Sequence, residues 1–499
     1  MKLKEIIKKV EDKKVLDFFN YEIEGIAYDS RKIKENYIFV AIKGTNLDGH
    51  SFIKDAIDRG AKVIIVEKKD LLVPKGITTI LVKDTRKVLG LISSTFYDEP
   101  SKKLKVVGIT GTNGKTTVSY FIKAVLSDPK NKNSCGLIGT ISYQVGERSI
   151  SSINTTPESL DIQHLIYEMV EEKCKYAIME VSSHGLSYGR VNFVQFDCAI
   201  FTNISPHEHL DYHKKFRNYL KAKLSLFNKY LKESEKDGKV GIINIDDPYS
   251  KYFIKALKYN NIKYITYGKN KKADIKLIDF KIKEEGNFFK IDIEGKEEEF
   301  ATKLKGKGNV YNAIAAISYA LYEKVPIDEI KSRLWEMESV PGRFEFIKEG
   351  QPFDVIIDYA HTHYALWNLL SSVKEFNRGK IIVVFGCGGD RDKSKRPLMG
   401  EIASKMADTV IITSDNPRSE DPAQIIKDVE KGIPKRYKKK CFSFVDRKEA
   451  IKFAISLAKE KDCVVIAGKG HETYQILKNT VVPFSDKEEA RKAIKMTTN

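Results

Sequence analysis

Val106-Val107-Gly108-Ile109-Thr110-Gly111-Thr112-Asn113-Gly114-Lys115-Thr116-Thr117 reads as a β-branched strand, a glycine turn and the opening of a helix. Glycines let backbone N–H groups close around phosphate oxygens, and the helix N-terminus adds favourable partial charge. In such a loop a lysine at 115 reaches the β- and γ-phosphates, and the Thr116 hydroxyl ligates Mg²⁺. Gly111, Thr112, Asn113, Gly114, Lys115, Thr116 and Thr117 are therefore candidate ATP-binding residues. The strict phosphate-loop pattern has glycine where this chain has Ile109, and Gly108 comes one place early. A glycine-rich turn carrying an exposed lysine is the alternative, which Gly-Lys-Thr-Thr directly after a strand disfavours.

The strand–loop–helix rhythm extends in both directions. Short apolar runs recur at Tyr176-Glu180, Asp197-Thr202 and Val240-Asn244, and later at Phe353-Asp358, Lys380-Phe385, Thr409-Thr413 and Cys463-Ala467. Before residue 100 come Tyr37-Ile42, Lys62-Val66 and Thr78-Val82 around a helical pattern at Phe52-Arg59. Such alternation predicts α/β domains with parallel sheets. Asp98-Glu99-Pro100-Ser101 reads as a linker. Three domains are expected, at 1–99, 100–338 and 339–499: a smaller α/β N-terminal domain, a central P-loop-type ATPase sheet and a Rossmann-like C-terminal domain. Ligands of open α/β sheets bind beyond the carboxyl ends of the strands. The unusual polar residues fall there: Glu180-His184 and Asn203-His213 in the centre, and Asp358-His361, Gly386-Asp392, Asp415-Arg418 and Gly468-Glu472 further on. Two loaded edges predict a site assembled between domains.

Length and composition agree with this reading. At about 100–200 residues per domain, 499 residues suit roughly three. With 42% hydrophobic residues each can bury a core. No apolar run reaches the ~18 residues of a membrane helix and the first residues lead into no secretory core, so a cytoplasmic protein without membrane insertion is expected. Six scattered cysteines, none in a C-x-x-C pair, suit reduced thiols. The excess of 86 Lys and Arg over 68 Asp and Glu, +18, could serve nucleic acid. Basic residues are spread throughout, without interleaved aromatic platforms, so no nucleic-acid partner is expected.

The loop Gly-Thr-Asn-Gly-Lys-Thr-Thr resembles that of the Mur ligases, ATP-dependent amino-acid-adding enzymes of peptidoglycan synthesis. Further strings carry the resemblance across nearly the whole chain: Asp29-Ser30-Arg31, Gly49-His50, Asn154-Thr155-Thr156-Pro157-Glu158, Glu180-Val181-Ser182-Ser183-His184-Gly185, Glu208-His209-Leu210-Asp211-Tyr212-His213, Pro341-Gly342-Arg343-Phe344-Glu345, Gly386-Cys387-Gly388-Gly389-Asp390-Arg391-Asp392, Asp415-Asn416-Pro417-Arg418 and Gly468-Lys469-Gly470-His471-Glu472. Within the family, the chain looks like the member that adds the third peptide residue. Departures are an extra residue near Pro206-His207 and His363 in place of the usual proline.

Glu180 and His209 are metal candidates on the phosphate-loop edge, the carboxylate being the better partner for Mg²⁺. By themselves, Glu180 could cap a turn and His209 could simply pack; the family pattern makes both metal ligands. Lys223 lies on a predicted helix, Tyr219-Phe227, where a solvated charge is the default reading. The resemblance implies instead that Lys223 carries a carbamate and acts as a further metal ligand, which requires a depressed amine pKa. Lys115, Lys223 and His209 are then the implied catalytic residues.

The resemblance also implies the substrates. Ser30, Thr155, Thr156, Ser182 and Arg190 match contacts to UDP-N-acetylmuramoyl-dipeptide; turns, helix caps and an ion pair are their plain alternatives. Asn309, Asn312 and Arg343 resemble adenine-side residues. Arg391, Asp415, Asn416, Pro417, Arg418, Gly468 and Glu472 match contacts to the incoming amino acid. Arginine fits the distal carboxylate of meso-diaminopimelate in a planar, bidentate manner, so Arg418 favours that amino acid over lysine. The implied reaction is ATP-dependent addition of meso-2,6-diaminopimelate to the D-glutamate carboxyl through an acyl phosphate, by a monomer using ATP and Mg²⁺. A sibling ligase, of the folylpolyglutamate synthase branch or adding a dipeptide, and a basic nucleic-acid ATPase are the competing readings.

Overall fold

The computed structural model describes residues 1–44, 47–68, 73–128, 131, 133–478 and 480–498. They divide into two compact units, Met1–Tyr267 and Gly268–Asn499.

The first unit opens with strands β1 (Lys14–Leu16), β2 (Gly25–Ala27), β3 (Tyr37–Val40), β4 (Ala61–Val66) and β5 (Thr78–Leu81). They align in the order β1-β5-β4-β3-β2, parallel except for β1. Both faces are covered, as β-branched strands with helices on either side require. Val63 and Ile65 pack toward Val88, Leu89 and Ile92 of the helix Thr85–Phe96, while Ile64 and Val66 pack toward Ile53 and Ala56 of the helix Ile53–Asp58. At the expected linker Asp98 and Glu99 both take left-handed backbone (φ 56° and 48°) before the short turn Pro100–Lys102.

The second sheet of this unit holds β6 (Lys105–Thr110), β7 (Cys135–Ile138), β8 (Ser142–Val145), β9 (Arg148–Ser151), β10 (Tyr176–Glu180), β11 (Cys198–Phe201), β12 (Val240–Asn244) and β13 (Lys263–Gly268). Its order is β13-β12-β11-β6-β10-β7-β8-β9. The strands from β13 to β7 are parallel; β8 and β9 add an antiparallel edge. After β6 the chain builds β7 and β10 on one side and β11 on the other, so the order reverses at β6. That is where open sheets leave a ligand crevice. Ile109 is a fully buried residue of β6 itself. Gly108 is set by packing: a Cβ there would lie 2.7 Å from the Phe196 ring. The early glycine and the misplaced isoleucine thus belong to the strand, and the loop begins at Gly111.

The second unit begins with the antiparallel ladder β14 (Ile275–Ile282), β15 (Asn287–Ile293) and β16 (Lys296–Thr302), followed by the helices Lys307–Tyr322 and Ile327–Glu336. A second sheet then contains β17 (Glu345–Phe346), β18 (Asp354–Asp358), β19 (Ile381–Cys387), β20 (Thr409–Ser414), β21 (Cys441–Phe444) and β22 (Cys463–Ala467), ordered β17-β18-β22-β19-β20-β21. All but β17 are parallel. Apolar clusters on both faces, Val383, Phe385, Val410 and Val465 on one and Val384, Ile411, Val464 and Ile466 on the other, reproduce the expected doubly wound arrangement. A hairpin, β23 (Tyr474–Leu477) and β24 (Thr480–Pro483), precedes the last helix, Asp486–Thr498. Among the described residues five cysteines are buried, Cys441 is half-buried, and all are free thiols. No helix among them is long and apolar enough to cross a membrane.

Candidate active site

The phosphate loop leaves β6 and closes on residues that follow β11. Asn203 is the organiser: its carbonyl accepts from Thr112 N (2.8 Å), its side-chain oxygen accepts from Asn113 N (2.9 Å), and its amide donates to the Asn113 carbonyl (3.1 Å). Thr202 Oγ1 donates to that same carbonyl at 2.6 Å. Gly111 must be glycine, because a Cβ there would fall 1.8 Å from Thr202 Oγ1. Gly114, at φ 88°, is the N-cap of the helix Lys115–Leu126, so the first free N–H groups of that helix face the loop. Lys115 folds back, its Nζ donating to the carbonyls of Gly111 (2.9 Å) and Thr112 (3.0 Å).

Glu180 ends β10 one strand away and is wholly buried. It does not cap the turn that follows. Its carboxylate accepts from Thr116 Oγ1 (2.9 Å), Thr140 N (2.8 Å) and Thr140 Oγ1 (3.0 Å). A hydroxyl and a carboxyl group are thereby held together at the mouth of a phosphate loop. Among the described residues no three His, Cys, Asp or Glu side chains form a metal cage. This donor set fits Mg²⁺, which binds through one or two carboxylates and takes its remaining ligands from water and substrate phosphates.

Lys223 lies near the end of the helix Phe216–Ser225, just before a π-helical turn, Leu226–Leu231, a local geometry often found at functional positions. It is 1% exposed. Its Nζ donates to the Gly111 carbonyl (2.7 Å) and sits 4.8 Å from the centre of the Tyr219 ring. Burial, with the Lys115 charge nearby, pushes this amine well below the ordinary lysine range. The solvated-lysine reading therefore does not hold. Tyr219 is itself buried and its hydroxyl meets Thr112 Oγ1 at 2.8 Å, which joins the Lys223 helix to the loop. His209 takes a left-handed backbone (φ 57°), with its ring 5.5 Å from those of His184 and Tyr219. His207 points to solvent, and Glu208 is buried between them.

Thr155, Thr156, Ser182 and Arg190 come together beside Glu180. Thr140 Oγ1 meets Thr155 Oγ1 at 3.0 Å. Thr156 Oγ1 donates to the Glu180 carbonyl (2.8 Å) and accepts from Ser182 N (3.0 Å). Ser182 Oγ caps the short helix Ser183–Ser187 by accepting from Gly185 N (3.0 Å). Arg190 Nε pairs with Glu158 at 3.0 Å, Nη1 donates to the Thr156 carbonyl at 3.0 Å, and Arg86 holds the other oxygen of Glu158 at 2.7 Å. Ser30 is buried at the start of the turn Ser30–Lys32 in the N-terminal sheet region.

In the second unit, Asp415 to Arg418 leave β20 and Gly468 to Glu472 leave β22. Asn416 Nδ2 donates to Glu472 Oε2 (3.0 Å), and the fully buried Lys469 ammonium donates to Glu472 Oε2 (2.9 Å) and Asn416 Oδ1 (3.1 Å). A Cβ at Gly468 (φ 118°) would lie 2.7 Å from Asp415 Oδ2. Pro417 is buried and its carbonyl abuts Gly389. Arg418 is half-buried: it takes left-handed backbone (φ 53°), its main chain bonds Ile476 and Lys478 around β23, and Nη1 donates to the Gly389 carbonyl (2.7 Å). Arg391 Cγ lies 3.8 Å, and Arg418 Nη1 3.0 Å, from where a Gly388 Cβ would sit, so both arginines border one glycine. Asn309 Nδ2 donates to the Lys305 carbonyl (2.9 Å) and its Oδ1 accepts from Asn312 (3.1 Å). Arg343 stacks over Tyr359 at 4.6 Å.

Thr140, Thr202, Asn203, Tyr219 and Lys469 were not singled out by the sequence reading, although all touch candidate residues. Asn203 opens the polar stretch that follows β11 and Lys469 lies within Gly468-Lys469-Gly470-His471-Glu472; only their positions at strand ends signal them.

Three family profiles match in chain order: the Mur ligase family catalytic domain at residues 22–97, the Mur ligase middle domain at 109–320, and the Mur ligase glutamate ligase domain at 342–470. A Clostridium botulinum protein named UDP-N-acetylmuramoyl-L-alanyl-D-glutamate--2,6-diaminopimelate ligase is 46% identical over 479 residues, covering 95% of this chain and 95% of that protein. A Clostridium acetobutylicum protein named as ligase 1 of the same kind is 45% identical over 500 residues, covering 99% of each. Among solved structures, one titled as a UDP-N-acetylmuramoyl-L-alanyl-D-glutamate--2,6-diaminopimelate ligase superposes with a TM-score of 0.69 at 31% identity, over 100% of this chain and 99% of that one. With its phosphate loop, its buried lysine and these matches from end to end, the chain belongs to the Mur ligase family.

Proposed function

We propose that this chain catalyses the ATP-dependent addition of meso-2,6-diaminopimelate to the D-glutamate side of UDP-N-acetylmuramoyl-L-alanyl-D-glutamate, a step of peptidoglycan precursor synthesis. The names of full-length relatives at about 45% identity support it. The observation that carries the choice of amino acid is the pair Arg391 and Arg418 bordering Gly388, beside the Asn416–Glu472–Lys469 cluster. Arginine is the side chain suited to the distal carboxylate that separates diaminopimelate from lysine, and Glu472 suits an ammonium group.

The chemistry follows from what each group can do. ATP phosphates lie along Gly111 to Thr117, with Asn309 and Arg343 on the adenine side. Thr116, Glu180, His209 and Lys223, the last as its carbamate, would hold Mg²⁺, which offsets charge on the transferring phosphoryl group. Lys223 suits carbamate formation because a buried, neutral amine can add to CO₂, giving an N–C bond and releasing a proton. Lys115 leaves its two carbonyls to meet the phosphates. The sugar-nucleotide carboxylate, oriented by Thr155, Thr156, Ser182 and Arg190 with Ser30 toward the UDP end, attacks the γ-phosphorus and ADP departs. The diaminopimelate amine, aimed by Asp415, Asn416, Pro417, Arg418, Gly468 and Glu472 with Arg391, then attacks the acyl phosphate, and phosphate leaves. No protein nucleophile is needed. Domain limits at 1–99, 100–338 and 339–499, a monomer and a cytoplasmic location complete the proposal.

The test is phosphate release from ATP with UDP-N-acetylmuramoyl-L-alanyl-D-glutamate and, in turn, meso-diaminopimelate, L-lysine and D-alanyl-D-alanine. Release that depends on diaminopimelate, with a tripeptide product by mass, supports the reading; equal release with lysine rejects it. Arg418→Ala is expected to cut diaminopimelate addition far more than ATP binding, and equal loss of both would reject that role.

A further inference from the structure

Behind the edge formed by Asp415 and Gly468 lies a buried ion pair that no proposed substrate contact uses. Arg447 opens the helix Arg447–Leu457 and is 1% exposed; Asp486 opens the last helix and is fully buried. They meet in a bidentate fork, Nε to Oδ1 and Nη2 to Oδ2, both at 2.7 Å. The remaining donors of the guanidinium reach backbone: Nη2 donates to the Ala467 carbonyl (3.0 Å) and Nη1 to the Ser414 carbonyl (3.3 Å). Those carbonyls belong to the last residues of β22 and β20, immediately before Gly468 and Asp415. A planar guanidinium held by one carboxylate thus ties together the two strand ends, one on each side of β19, from which both substrate loops depart. The spacing is tight, since Asp415 Oδ2 already lies 2.7 Å from where a Gly468 Cβ would be. Lysine, a point donor on a flexible stem, cannot make the fork and the two carbonyl contacts together.

We propose that Arg447, held by Asp486, is a positioning residue for the amino-acid subsite: it sets the separation of the Asp415–Arg418 and Gly468–Glu472 loops and so tunes selection of the incoming diamino diacid. It touches neither substrate nor the reacting atoms. The inference rests on the reading that these loops receive diaminopimelate, so the test carries a separate control for that reading.

The full-length protein is compared with Arg447→Lys, Asp486→Asn and Arg418→Ala, measuring KM for meso-diaminopimelate, ATP and the sugar nucleotide, kcat and the melting temperature. Arg447→Lys is expected to raise KM for diaminopimelate by about tenfold or more, with KM for the other two substrates within about twofold, because loosened support misplaces first contacts. A purely structural role predicts fewer active molecules instead: kcat falls and the three KM values stay put, which would overturn the inference. If Arg447→Lys fails to fold, Asp486→Asn is judged by the same split; failure of both to fold would assign the pair to stability alone and likewise overturn it. Should Arg418→Ala leave KM for diaminopimelate unchanged, the substrate reading itself is wrong. Should Arg418→Ala raise it while Arg447→Lys does not, only the positioning role is lost.

Discussion

At the scale of single residues, the site is built on side chains whose surroundings leave them few alternatives. Gly111 is the sharpest case: Gly111→Ala would drive a methyl group against Thr202 Oγ1 and break its bond to the Asn113 carbonyl. ATP affinity is expected to fall at least about tenfold by equilibrium titration, roughly the value of one or two such bonds. Lys223 offers an opposed pair of effects. Its amine is buried at a desolvation cost, so Lys223→Met should raise the melting temperature while lowering kcat by about 100-fold or more. Loss of both stability and activity would show the amine to be structural. Lys115, Thr116 and the loop glycines were legible because phosphate binding imposes a local spacing. Asn203, Thr202 and Thr140 were not, because what makes them functional is a contact across 40 to 90 residues of chain that no local pattern records.

At the scale of elements, every run read as a parallel strand is one, with ends shifted by a residue or two. Buried parallel strands are continuous apolar runs between turns, a strong signal. The ladder β14–β16 escaped notice because its outer face is charged. Lys276 pairs with Asp292 and Lys290 with Glu297 across neighbouring strands, so stretches such as Lys296-Glu297-Glu298-Glu299 look like loop. Caps act at this scale too. Ser182→Ala removes the N-cap of Ser183–Ser187 and should cost about 1 kcal/mol in denaturant unfolding, with a raised KM for the sugar nucleotide if that turn contacts it. The segments flanking β20 give a pH signature. The Arg396 guanidinium bonds the Glu420 carboxylate through both Nη nitrogens (2.9 and 3.0 Å) and holds it down to about 2, below the ordinary 4.5. A depressed carboxylate contributes stability that is complete above its unfolded value and is lost as pH falls through the folded one. Thermal stability should therefore drop between pH 4.5 and about 2, and Glu420→Gln should flatten that part of the profile; an unchanged slope would show that the pair does not contribute.

At the scale of the whole molecule, the excess of basic residues does not require nucleic acid. Lys115, Arg391 and Arg418 lie where anionic substrates are expected, and other basic residues are neutralised in surface ion pairs such as Lys83–Asp12 and Lys68–Asp48. Salt should accordingly weaken nucleotide binding only modestly, without the steep power-law decline of a protein that neutralises many nucleic-acid phosphates; a steep decline would reopen the nucleic-acid reading. One carbonyl has a wider bearing. Gly111 O receives the nitrogens of both Lys115 and Lys223, so one carbonyl of the phosphate loop gathers the two side chains proposed to serve it. Purging dissolved CO₂ from the enzyme should then idle it without unravelling it, and readmitting bicarbonate should restart turnover with no refolding lag.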